Sequence, residues 1–93
     1  MTSEYERVAI REGVSAREFD GEWIVLDLAG GNYYGLDALG GDIWEKLRTG
    51  GSAEEIADVL VSKYDVPKAT IVRDIVIFID ELKRRELVWT EQP

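Results

Sequence analysis

Apolar and polar residues alternate through the first third of the chain and then recur with a period near 3.6, so strands are predicted first and helices after them. Residues 7–11, R-V-A-I-R, alternate and predict a short strand that Gly13 cuts off. Residues 14–19 and 22–28 flank Asp20-Gly21, a dipeptide suited to the positive φ angles of a type I′ hairpin turn. In the second arm Ile24, Leu26 and Leu28 face one way and Trp23 and Val25 the other. The Trp23/Val25 side is expected to face solvent and is unusually apolar for that. It reads as a strand covered on both faces, as a self-association patch, or as a ligand contact. Residues 1–6 are polar and are expected to fray.

Residues 29–32, A-G-G-N, form the next turn, and residues 33–36 the third strand. Tyr34 and Leu36 share one face of it, Tyr33 and Gly35 the other. Alternation favours Tyr34 and Leu36 as core over contact. Gly35 is the more telling residue, because a glycine inside a strand weakens it and often marks close approach by another backbone. Asp37 is the predicted N-cap of a first helix that places Ile43, Trp44 and Leu47 in the core and ends near Gly50-Gly51. Gly40-Gly41 shifts its expected start a residue or two later.

Ser52 and Glu55 make a capping box for a second helix running to about Tyr64, with Ile56, Val59, Leu60 and Tyr64 on its buried stripe. Pro67 suits the first turn of a third helix that reaches about Glu86. Val72, Ile75, Ile79 and Leu82 form its expected core stripe, and Ile71, Ile77 and Phe78 widen the apolar arc. So wide an arc means burial on two sides or a groove wall awaiting a partner. Residues 87–89 close the chain as an extended segment. The predicted class is α+β, winged helix-turn-helix-like, with a three-stranded antiparallel sheet followed by three helices. One domain is expected over residues 1–93, with an ordered core of about residues 7–90.

Composition narrows the function. The 93 residues hold 19 acidic and 11 basic side chains, a net charge of -8 that opposes a phosphate backbone. The basic residues Lys83, Arg84 and Arg85 crowd the C-terminal turn of the third helix, where they complement its dipole, whereas a groove-reading helix wants positive charge in its N-terminal half. A winged-helix DNA regulator therefore fails on charge. Neither histidine nor cysteine is present, which removes the usual general base, thiolate nucleophile and transition-metal ligands. No catalytic residue, metal or cofactor is expected. The longest apolar run, residues 75–79, is far too short to span a membrane, and the N-terminus lacks the apolar stretch of a signal peptide. A cytoplasmic protein without membrane or nucleic-acid partners is expected.

The run Y-Y-G-L-D-A-L-G-G-D-I-W-E-K-L-R-T-G-G-S-A-E-E-I-A-D-V-L, then Y-D-V, then V-R-D-I-V-I-F-I-D-E-L-K-R-R-E-L-V, resembles the pyrroloquinoline quinone synthesis protein D (PqqD) family. These are the RiPP precursor peptide recognition elements, and the resemblance covers residues 14–89. The Y-Y-G-L-D form with Gly40 and D-I-W nearby is most similar to stand-alone members of lasso peptide pathways. The resemblance implies a non-catalytic adaptor, or peptide chaperone, that binds the leader of a ribosomal precursor peptide. The leader would add as a strand against the third strand, and a processing enzyme would receive it. That enzyme would be a separate leader peptidase, or a radical SAM enzyme in the quinone cofactor pathway. Carried onto this chain, the strand comprises Asn32, Tyr33, Tyr34, Gly35, Leu36 and Asp37, and the helix face Ile71, Asp74, Ile75, Phe78 and Leu82.

Side-chain chemistry agrees with that mode of binding. An edge strand offers unpaired N–H and C=O groups to an extended peptide, and flanking pockets supply specificity. An acidic surface favours a leader carrying Lys or Arg, for which Asp74 is either a partner or merely a solvated helix residue. With no fused enzyme expected, Trp23, Val25 and Trp89 are candidates for a docking surface. Self-association through the Trp23/Val25 face remains a separate reading.

Overall fold

A computed structural model describes residues 2–91. The chain forms β1 (Arg7–Ile10), β2 (Val14–Phe19), β3 (Glu22–Asp27), β4 (Asn32–Leu36), α1 (Ala38–Leu47), α2 (Ala53–Tyr64), α3 (Lys68–Arg84) and β5 (Val88–Glu91). The strands β2, β3 and β4 build an antiparallel meander with β3 in the centre. Asp20 and Gly21 both adopt the positive φ that the first hairpin turn requires. Two strands flank this α+β unit and form a sheet of their own, in which β1 pairs antiparallel with β5. The closing strand is therefore tied to the opening one, and a β-bridge from Val8 to Gly51 anchors both to the α1–α2 connection.

Three local devices set the helix positions. Asp37 caps α1, its Oδ1 accepting from the Gly40 N–H at 2.7 Å. The capping box is complete at α2, where Ser52 Oγ accepts from the Glu55 N–H and Glu55 Oε1 from the Ser52 N–H. Lys68 at the start of α3 binds Glu54 and Asp58 of α2, both at 2.7 Å, and so staples the helical hairpin. The core lies where α1, α2 and α3 meet the inner face of β3, with Val25, Ile43, Trp44, Leu47, Ile71, Ile75, Ile79 and Leu87 almost fully enclosed. None of the helices among the described residues is long and apolar enough to cross a membrane.

Several expectations are corrected. The Trp23/Val25 side of β3 is the inner face: Val25 is 0% exposed, and Trp23 packs against Gly41 of α1. That side is therefore not the solvent-facing face of the strand. The uncovered face carries Ile24, Leu26, Phe19 and Tyr33 instead, as the register across β2, β3 and β4 requires. The first helix begins at Ala38, ahead of both glycines. Gly41 is there because a Cβ would stand 2.2 Å from Trp23 Cδ1. Packing overrides propensity at that position. On α2, Val59 lies outside the buried stripe, which runs Ala53, Ile56, Ala57 and Leu60. On α3 the stripe uses Ile71 rather than Val72, which is only half-buried.

The N-terminal segment is not frayed from Thr2 onward. The Thr2 N–H donates to Asp80 Oδ1 at 2.8 Å, and the Glu54 N–H donates to the Glu4 carbonyl at 2.9 Å. Burial acts to raise the Asp80 carboxyl, but hydrogen bonding to Thr2 outweighs it and holds it below its ordinary value. Asp42 behaves the same way: burial opposes its charge, while Lys63, at 2.8 Å, and the Tyr64 hydroxyl win and lower its pKa. Burial and that same bond push Tyr64 up to about 12. A carboxylate lowered on folding contributes stability that is present above its unfolded value, ordinarily 3.8 here, and is lost as pH falls through the folded one. Unfolding followed by circular dichroism from pH 6 to pH 2 is therefore expected to show stability falling below about pH 4. In Asp42→Asn the fall should be shallower, from a starting stability lower by about 1 kcal/mol.

Candidate functional site

Edge position makes β4 available. Its inner partner is β3, registered Val25 to Tyr34 and Ile24 to Gly35, and no strand among the described residues pairs with its other side. The strand β2 is also an edge, but it carries Arg17 and Glu18 and lines neither cleft along α3. Beside β4 the ground is concave. A cleft of about 380 Å³ separates β4 from α3, lined by Val25, Tyr33, Tyr34, Gly35, Leu36, Phe78, Glu81, Leu82, Arg85 and Leu87. A second cleft of about 320 Å³ follows between the start of α1 and α3, lined by Asp37, Leu39, Gly40, Ile43, Asp74, Ile77, Phe78 and Glu81. Phe78 and Glu81 belong to both, so the two make one groove along α3.

The helix supplies this wall through a stripe beside its core stripe. Positions 74, 77, 78, 81 and 85 recur at the three- and four-residue spacing of one helix face. Ile77 at the mouth is 57% exposed, apolar area with nothing of the described chain against it. Leu82 serves both stripes. At the C-terminal end the Arg85 guanidinium lies 4.5 Å from the centre of the Tyr34 ring and reaches across the cleft from α3 to β4. Its Nε donates to Glu81 Oε1 at 3.0 Å, and Arg84 holds the other oxygen of that carboxylate at 2.6 Å. The hydrogen bonds from Arg84 and then Arg85 keep the Glu81 carboxyl below its usual range.

Of the residues expected from sequence, Tyr33, Tyr34, Gly35, Leu36, Phe78 and Leu82 come together in the first cleft, and Asp37 and Asp74 in the second. Ile71 and Ile75 do not join them. They are 1% and 0% exposed and point into the core, one face away from the groove. Asn32 stands at the turn end of β4, its side-chain amide bonded to the Gly30 carbonyl, away from both clefts. Sequence reasoning missed Leu39, Ile77, Glu81 and Arg85 as groove lining. Ile77 was signalled by the surplus apolar arc, whereas Arg85 was read only as a dipole partner. Trp89 lines a different depression of about 540 Å³ with Arg11, Glu12, Asp27 and Glu86, open and of mixed charge. Among the described residues no cluster of acidic or sulfur and imidazole side chains could hold a metal ion.

Fold and groove together define a peptide-recognition domain, and the sequence match is specific. Residues 22–88 match the family of coenzyme PQQ synthesis protein D, and the chain belongs to that family as a PqqD-like RiPP recognition element. It is 35% identical to TbiB1 in complex with the TbiA(beta) leader peptide, with a TM-score of 0.82, over 91% of this chain and 99% of that one. It is 27% identical to a lasso peptide synthetase B1 complexed with the leader peptide, with a TM-score of 0.79, over 88% of this chain and 96% of that one. No curated protein matches it.

Proposed function

We propose that the protein binds the leader region of a lasso-type precursor peptide as a fourth strand on β4 and hands it to a separate processing enzyme such as a leader peptidase. The observation that carries this reading is the unpaired edge of β4 facing a groove walled by α3, in a fold shared with two leader-bound proteins. Main-chain bonds along β4 supply affinity, and the two clefts supply side-chain selectivity. The protein does no chemistry on the peptide: it has neither histidine nor cysteine, and several of its carboxylates, Asp37 and Glu54 among them, serve caps and ion pairs. The meeting takes place in the cytoplasm, where a ribosomal leader is first exposed. A second reading, a peptide chaperone for a radical SAM maturase, rests on the family match and uses the same groove.

Fluorescence polarisation of a labelled leader from the precursor gene beside this one tests the proposal. Ordering a flexible leader costs several kcal/mol, so a Kd in roughly the nanomolar to micromolar range is expected. Absence of binding at tens of micromolar, with the fold intact by circular dichroism, would remove the lasso assignment.

A further inference from the structure

The second cleft has an uneven charge supply. Its lining is apolar at Leu39, Ile43 and Phe78, with Ile77 at the mouth, and three carboxylates stand around it. Two of these are already engaged. Asp37 accepts the Gly40 N–H at 2.7 Å and holds the start of α1. Glu81 is bound by Arg84 at 2.6 Å and Arg85 at 3.0 Å. Asp74 has no hydrogen bond and no ion pair among the described residues, although it is only half exposed at an apolar rim. A carboxylate in that position gives up part of its hydration without a partner in return.

We infer that Asp74 selects leaders that carry a Lys or Arg next to the apolar side chain filling this cleft. The inference rests on the leader-binding reading and adds a sequence rule to it. Spacing makes the rule specific. Asp74 lies one turn from Phe78, about 6 Å along the helix axis at the ordinary rise. In an extended peptide, residues two apart share a face and stand about 6.7 Å from one another. The cation therefore belongs two residues from the apolar anchor. The net charge of -8 adds a general field of the same sign, which speeds encounter with a basic segment.

The test uses the fluorescein-labelled leader from the precursor gene beside this one, with Lys, Gln or Glu placed at each position in turn. Wild type, Asp74→Asn, Asp74→Lys and Glu18→Gln are titrated, the last as a control for net charge on β2, far from the groove by topology. One leader position is expected at which wild type prefers Lys over Glu by about tenfold, a partly desolvated rim pair. Asp74→Asn should flatten that preference and Asp74→Lys reverse it, with Glu18→Gln unchanged. Tight wild-type binding with no such position, and both Asp74 variants within about twofold of wild type, would overturn the rule while leaving leader binding in place. Failure of wild type to bind any version removes both.

Discussion

Phe78→Ala is expected to weaken leader binding by about 10- to 100-fold, the loss typical of a central aromatic anchor. Phe78 is the one aromatic side chain that lines both clefts, so its removal takes the shared wall from each. It is only partly buried against the core, and the cost to the fold should stay near 1–2 kcal/mol. Ile75→Ala should behave in the opposite way. Ile75 is fully enclosed one helix face from the groove, so its truncation should cost about 2–5 kcal/mol of stability while the protein that remains folded binds leader almost normally. Polarisation titrations paired with urea unfolding separate the two effects. Equal losses of binding in both variants would mean that the groove is not where the leader sits.

The largest effect on stability without any loss of buried atoms is expected at Gly41. Alanine in a helix is favoured over glycine by about 1 kcal/mol, so propensity alone predicts a gain. Space decides otherwise, because the added Cβ would meet three atoms of the Trp23 indole at 2.2, 2.5 and 2.7 Å. Overpacking of this kind costs about 1–3 kcal/mol, and a rigid ring has no easy way to yield. Gly41→Val should therefore lower the urea midpoint by an amount worth about 2 kcal/mol or more, and Gly41→Ala by less. Gly35→Val offers the contrast. A Cβ at Gly35 meets nothing within 4 Å, so the free protein should tolerate it to within about 0.5 kcal/mol. A large loss at Gly35 and none at Gly41 would contradict this packing.

The order of strands and helices was legible because hairpin and capping residues are local signals: Asp20-Gly21, Asp37, and Ser52 with Glu55 each act within four residues of themselves. Which face of β3 is buried was not legible. Both faces of that strand are apolar, and the choice is made by Trp23 closing over Gly41, a contact between residues 18 positions apart. The candidate site divided along the same line. Alternation put Tyr34 and Leu36 on the inner face of β4, and the family resemblance marked the strand from Tyr33 to Leu36 as the binding edge, whereas on α3 the apolar arc is wide enough to hold two stripes. Periodicity put Ile75 on the core stripe, where it lies; the helix face that included Ile71 and Ile75 came from the family resemblance, and both are enclosed in the core. Arg85 escaped because its meeting with Tyr34 joins elements 51 residues apart. The docked N-terminus escaped because polar composition says nothing of a backbone N–H that finds Asp80.

Strand addition on β4 is the central claim, and backbone amide hydrogen exchange tests it most directly. Exchange is measured residue by residue on the free protein and again at saturating leader. The outward amides of residues 32–36 should slow by roughly the reciprocal of the fraction of protein left free of leader, and those of β2 should not change. Protection confined to β2, or to the outer face around Phe19 and Leu26 with β4 unaffected, would contradict strand addition on β4.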